Sequence, residues 1–245
     1  MTTSKTLLAL TLATVFGCSA ATSATTAIIN IFPRKDNTLY EYDAAEGDHS
    51  NGAGLHFFAG MNNESEIRRG VFAFDVAGSI PHGSTIVAVS LSMNMSRTMS
   101  DTTRIVELHK LLADWGEGTS HAPGGEGDGA PAMPSDATWR HRFFDTTFWT
   151  TPGGDFSVTV SASQSVGPIG QYTWSSAQMV TDVQSWLDNP ATNFGWLLLG
   201  DESAAATTKR FDTRESASPP VLTIEYVRSA PSPRPRPTVA PRPIS

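Results

Sequence analysis

The chain has 245 residues, 39% of them hydrophobic and 17% charged, with a formal net charge of −7. That length and apolar content suffice for one large domain with its own core, an all-β sandwich included, and the acidic balance argues against a nucleic-acid partner. Cys18 is the only cysteine, so a domain that begins after an N-terminal leader has neither a disulfide nor a thiol for catalysis or metal binding.

Residues 1–24 read as such a leader. Lys5 precedes an apolar stretch from Leu7 to Gly17 and then small residues, the pattern of a secretory signal peptide too short to span a bilayer. Thr22-Ser23-Ala24 offers a small-x-small cleavage site. Val15-Phe16-Gly17-Cys18 resembles a lipobox, which leaves cleavage before Cys18 and lipidation as the other export route.

The first predicted strand, Ala27 to Phe32, leads into Asp36-Asn37-Thr38-Leu39-Tyr40-Glu41-Tyr42-Asp43. This stretch alternates like a strand but sets Asn37 and Glu41 on the side of Leu39, which a core tolerates only when the polar groups are paired. Strands follow at Leu55 to Ala59 and Val71 to Val76. The strongest alternation runs from Ile86 to Met95, with Val87, Val89, Leu91, Met93 and Met95 on one face and Ser90, Ser92 and Asn94 on the other. Another strand is predicted from Thr103 to Lys110.

Residues 113–155 form a long Gly- and Pro-rich loop, of a length that in compact domains is functional or disordered. Its three tryptophans, Trp115, Trp139 and Trp149, argue against disorder throughout. A strand at Phe156 to Ser161 precedes the one predicted helix. Ser175 or Ser176 caps it, Met179, Val183, Trp186 and Leu187 recur at helical spacing, and Asn189-Pro190 stops it. Strands at Phe194 to Leu199 and Val221 to Val227, with a more polar one around Arg210 and Arg214, complete the domain. Residues 229–245 hold six prolines and three arginines without an acid, a composition for an extended, disordered tail. The expectation is a single all-β domain over residues 25–228, a β-sandwich of jelly-roll type with one short helix near the C-terminal third.

The ordered blocks resemble a known family. Asp36-Asn37-Thr38-Leu39-Tyr40-Glu41 is similar to the signature of the DNRLRE-domain family, with Thr38 and Tyr40 where that signature has arginines. Arg69 to Asp75, Ile80-Pro81, Trp115-Gly116-Glu117-Gly118, Ala137-Thr138-Trp139, Pro152-Gly153-Gly154-Asp155, Asp182 to Trp186, Asn193 to Trp196 and Pro220 to Tyr226 extend the likeness over residues 36–227. No single block is specific; the ordered set carries the resemblance. It implies a secreted β-sandwich, also known as carbohydrate-binding module family 96, appended to polysaccharide-degrading enzymes or bacterial surface proteins, with alginate-type binding in some members. The fold transfers more safely than the ligand. As the first strand of the sandwich, the signature would hold Glu41 in an ion pair with an arginine such as Arg69, while Asp36 and Asn37 bond the turn that starts it.

Three site chemistries follow from the residues. Trp115, Trp139 and Trp149 are candidates for a platform that stacks on sugar rings, with Glu117 and Asp155 binding hydroxyls; the plainer alternative is that the indoles pin the loop as a satellite core. Glu117, Asp128, Asp136 and Asp155 are hard oxygen donors on flexible backbone, suited to Ca²⁺. Asp36 and Glu41 near the first strands are an equal choice for such an ion, and a solvated acidic loop with no metal is the alternative. Among the cations Arg68, Arg69, Lys209, Arg210 and Arg214, the last two are the better candidates to meet uronate carboxylates bidentately. Neither a catalytic triad motif, a metalloprotease motif nor a phosphate-binding loop occurs. The functional expectation is a non-catalytic, secreted or surface-lipidated carbohydrate-binding module for an acidic or plant- or algal-type polysaccharide. A structural or adhesive protein contacting cell-surface or matrix proteins is the alternative, and a polysaccharide lyase or glycoside hydrolase the weaker one.

Overall fold

Why the predicted strands join as they do is clearest at one residue, Gly60. The computed structural model of the chain describes residues 25–42 and 45–228; the expected leader and the Pro/Arg-rich tail lie outside the described residues. In chain order the strands are β1 (Thr26–Ile31), β2 (Pro33–Tyr40), β3 (His49–Ser50), β4 (His56–Met61), β5 (Ile67–Phe74), β6 (Thr85–Thr98), β7 (Arg104–Leu111), β8 (Ala130–Pro131), β9 (His141–Phe143), β10 (Thr147–Phe148), β11 (Phe156–Val166), β12 (Gly170–Ser175), β13 (Trp196–Leu199), β14 (Lys209–Asp212) and β15 (Val221–Val227). A one-turn helix α1 (Val76–Ser79) follows β5, and α2 (Ala177–Asp188) follows β12.

Nine strands form one antiparallel path, β1-β15-β6-β14-β4-β5-β13-β7-β11, with β12 added on β6 and β2 on β5. The path curls strongly because β4 changes partners along its length. His56 to Ala59 pair with β14, whereas Gly60 and Met61 pair with β5. Gly60 has φ +114, a value that side chains with a Cβ rarely adopt. One glycine thus turns a single strand from one part of the sheet into the other.

The concave side holds the main core, including Phe57, Phe72, Phe74, Trp174, Trp196 and Phe211. Helix α2 buries Met179, Val183, Trp186 and Leu187 there, at the spacing that the sequence shows, and Ser176 Oγ caps it by accepting from Met179 N. Each such side chain contributes roughly 1.5–3 kcal/mol by leaving water. Asn189 ends the helix as expected.

Strand β6 is longer than predicted, and its alternation breaks twice. A register shift between Glu225 and Tyr226 leaves Val87 without a partner residue, and Val87 turns to solvent at 49% exposure instead of into the core. A second shift, between Arg210 and Phe211, makes Ser96 the extra residue. Such bulges re-aim the side chains beyond them. Strand β12 was not anticipated: it is six residues long and Trp174 is its only buried side chain, too short a run for the period-two pattern to show.

Candidate functional site

The outer face of β2, β5 and β13 is covered by the long loop, and this settles where the three predicted tryptophans lie. Leu39, Val71, Ala73, Leu111 and Leu197 meet Trp115, Ala137 and Trp149 in a second hydrophobic cluster. Trp115 is 1% exposed and Trp149 4%. Their indole N–H groups donate to Phe194 O and Thr138 O, both at 2.9 Å. Trp139 keeps partial exposure, but the Arg69 guanidinium lies 4.8 Å over its ring. The sugar-stacking platform is therefore corrected: two of its rings have no free face, and the third is covered by a cation. The loop is held as a satellite core.

This face is also the one toward which Leu39 and Asn37 point. Asn37 is fully buried and fully used. Its Oδ1 accepts from Asn51 N at 2.9 Å, and its Nδ2 donates to Glu117 O at 2.8 Å and to Ser50 Oγ at 2.8 Å. Asp36, on the alternate side, accepts from Arg214 N at 2.9 Å through Oδ2, and its own N–H donates to Glu117 Oε1 at 3.0 Å. The pair was expected to bond the local turn; instead it joins segments about 80 and 178 residues away. Burial raises the Asp36 carboxyl well above its ordinary range, and Oδ1 has no partner. Burial raises the Glu117 carboxyl as well, against hydrogen bonding from Asp36 N and the charge of Arg214.

The expected Glu41–Arg69 ion pair does not form. Arg69 makes a two-pronged bond to Glu202, Nε to Oε1 at 2.7 Å and Nη2 to Oε2 at 2.8 Å, and also donates to Gly153 O. Glu41 Oε2 accepts from the backbone N–H of Ile67 at 2.9 Å. The adjacent arginine, Arg68, is the one that reaches Glu41, through the backbone carbonyl at 3.1 Å.

Two of the loop acids, Asp136 and Asp155, accept from backbone N–H groups. Asp136 accepts from Thr119 N at 2.9 Å and Met133 N at 2.7 Å. Gly118, at φ +73, brings the chain close enough that any Cβ there would strike Asp136 Oδ1. Asp155 accepts from Thr150 N and Thr151 N at 2.9 and 3.0 Å. Among the described residues no group of three or more His, Cys, Asp or Glu side chains is arranged to hold a metal ion. Of the proposed ligands Asp36, Glu41, Asp128 and Asp136, only Asp128 has a carboxylate without a partner among the described residues.

The loop's own anchor is a residue not singled out by sequence. Glu126 is buried, and its carboxylate accepts from Asn51 Nδ2 at 3.0 Å, Leu55 N at 3.1 Å and His56 N at 2.8 Å. Its carbonyl accepts from Tyr40 Oη at 2.8 Å. In sequence it stands among glycines, with nothing to show that a carboxylate there enters the interior.

The cations sort sharply. Arg68 is buried between the Tyr40 and Tyr42 rings and donates to Glu66, Tyr42, Gly127 O and two further carbonyls. Lys209 is buried in a cage of Thr98 Oγ1, Ser100 O, Thr102 O and Gly167 O. Arg214 is taken by Glu117 at 2.9 Å and Glu215 at 2.7 Å, which removes it as a ligand candidate. Arg210 differs. It makes one hydrogen bond, Nε to Ser96 Oγ at 3.2 Å, and no ion pair among the described residues.

Directly across the ladder from Arg210 stands Arg97, exposed and with no side-chain hydrogen bond or ion pair among the described residues. Like charges at facing positions of a sheet are destabilising. Burial, and after it the Arg97 charge, lower the Arg210 pKa from its ordinary value. The two line a groove of about 440 Å³ between β6, β14, the β4–β5 turn and the Gly-rich loop at 123–129, with Phe58 and Met99 in its wall. Arg97 was missed because it falls in the apolar phase of β6. A charge in that phase is the available signal of the Ser96 bulge, which turns Arg97 outward.

No family model matches the chain, and no curated protein matches it in sequence.

Proposed function

We propose that this chain is a non-catalytic carbohydrate-binding module that captures an acidic polysaccharide in the groove beside Arg97 and Arg210. The observation that carries this reading is the facing arginine pair, which lines the groove and has no ion-paired carboxylate among the described residues. Guanidinium groups recognise carboxylate or sulfate oxygens through paired N–H donors, and a bound anion relieves their mutual repulsion. The resemblance to the DNRLRE-domain family supports the same reading, with the curled sheet taken as its jelly-roll sandwich. The leader-like N-terminal sequence supports a location outside the cell or, through Cys18, on its surface. Among the described residues no helix is long and apolar enough to cross a membrane.

The reading invokes no bond cleavage. Binding rests on charge, groove shape and hydroxyl contacts, and no acid–base pair is assigned a chemical step. The buried tryptophans favour one second reading, a structural or adhesive surface protein whose long loop is a stabilising flap.

Affinity electrophoresis separates the two. Migration is expected to slow in gels containing polygalacturonate, less so in neutral hydroxyethylcellulose, and to recover as salt screens the arginines. Arg97→Gln with Arg210→Gln should abolish retardation without lowering the melting temperature. Equal migration of the wild-type chain in all gels would favour the structural protein.

A further inference from the structure

The free charges of the groove are of both signs. Glu64, exposed in the turn between β4 and β5, is engaged among the described residues only through its backbone N–H, which donates to Asn62 Oδ1 at 2.9 Å. Asp128, exposed on the Gly-rich loop, gives its backbone carbonyl to Tyr42 Oη at 3.0 Å and His49 Nδ1 at 2.7 Å, while its carboxylate has no partner among the described residues. Both line the groove that Arg97 and Arg210 line. The other charges in its wall are satisfied internally, Arg68 by Glu66 at 2.9 Å and Glu126 by Asn51 and two backbone N–H groups.

Two cations and two carboxylates in one groove, none paired with another, match a ligand that carries both charges. A pure polyanion would satisfy the arginines but place its remaining charge near Glu64 and Asp128, where like charges repel. We infer that the groove selects zwitterionic glycan segments, in which a carboxylate- or sulfate-bearing sugar adjoins a sugar with a free amino group. The anionic sugar sits at Arg97 and Arg210, and the ammonium at Glu64 and Asp128. This rests on the groove being the polysaccharide site proposed above.

Hyaluronan and its partly de-N-acetylated form provide matched probes, since they share a backbone and carboxylates and differ in free amines. Binding to the full chain is measured by calorimetry at one ionic strength. The de-N-acetylated polymer is expected to bind about five- to tenfold more tightly, the scale of two exposed charge contacts. Glu64→Gln with Asp128→Asn should erase that preference while leaving binding of the parent polymer equal or stronger; the chain's other acids remain in this variant, so a merely global attraction of an acidic protein for amines would survive it. Equal affinity of the wild-type chain for both polymers, or a preference that persists in the double variant, would overturn the inference and leave the acidic-polysaccharide reading standing. No binding to either polymer or to polygalacturonate would overturn both.

Discussion

Glu126 and Asn51 are joined by a hydrogen bond of 3.0 Å across 75 residues of chain, and the same carboxylate takes the N–H groups of Leu55 and His56. One buried acid thereby fastens the Gly-rich loop to the start of β4. Glu126→Ala leaves these donors without an acceptor, at about 1–3 kcal/mol for a buried group so orphaned and more in combination. A loss of about 3 kcal/mol in urea unfolding is expected, with faster proteolytic cutting between Pro123 and Gly129. Unchanged stability would show that water replaces the carboxylate there.

Asp36 gives a pH dependence of defined sign. Burial holds its folded carboxyl well above the ordinary value, so the folded state binds this proton more tightly than the unfolded state does. Its contribution is fully present below the unfolded value, near 3.9, and is lost as pH rises toward the folded one. Asp36→Asn keeps an acceptor for Arg214 N and removes the charge. The variant should melt higher than the wild type at pH 7–8, with the gap closing toward pH 4; a gap independent of pH would refute the assignment.

The partner of Arg69 can be tested directly. A double-mutant cycle between Arg69→Gln and Glu202→Gln should give a coupling of about 1–3 kcal/mol, since the pair is two-pronged and mostly shielded from solvent. The cycle between Arg69→Gln and Glu41→Gln should give nearly none.

Stability and binding should separate by residue. Trp115→Ala or Trp149→Ala removes a buried indole from the satellite core, at about 3–5 kcal/mol. Arg97→Gln removes a like-charge contact and should leave the melting temperature equal or higher, while weakening retention by polygalacturonate. A large loss of stability in Arg97→Gln would point to a structural role for that side chain.

How much was legible in advance follows from the range of each interaction. Period-two alternation is local, so the strands around Leu91, Val71 and Ile224 were readable, as was helix α2, with its Ser176 cap and Asn189 stop. The same alternation misassigned Val87 and concealed Arg97, because a bulge is set by the partner strand and shifts the phase for everything beyond it. The cations show the limit most plainly. Sequence set Arg210 and Arg214 apart from Arg68 and Lys209 as ligand candidates, yet Arg214 is taken by Glu117 and Glu215, and among the described residues only Arg210 of these four is left without an ion-paired carboxylate or a full cage of acceptors.

By itself, then, the sequence determined the class of the protein, an all-β domain with a capped helix and a long loop, and left open whether the loop's tryptophans bind a ligand or anchor it. Those features depend on periodicity, turn residues and caps, all of which act within a few residues. The tertiary structure alone decided which groups are occupied and which are open. Asn37 meets Glu117, Arg69 meets Glu202 and Glu126 meets Asn51 across 80, 133 and 75 residues. Burial energy and hydrogen-bond satisfaction select such partners in space, and the chain's order carries no record of the choice.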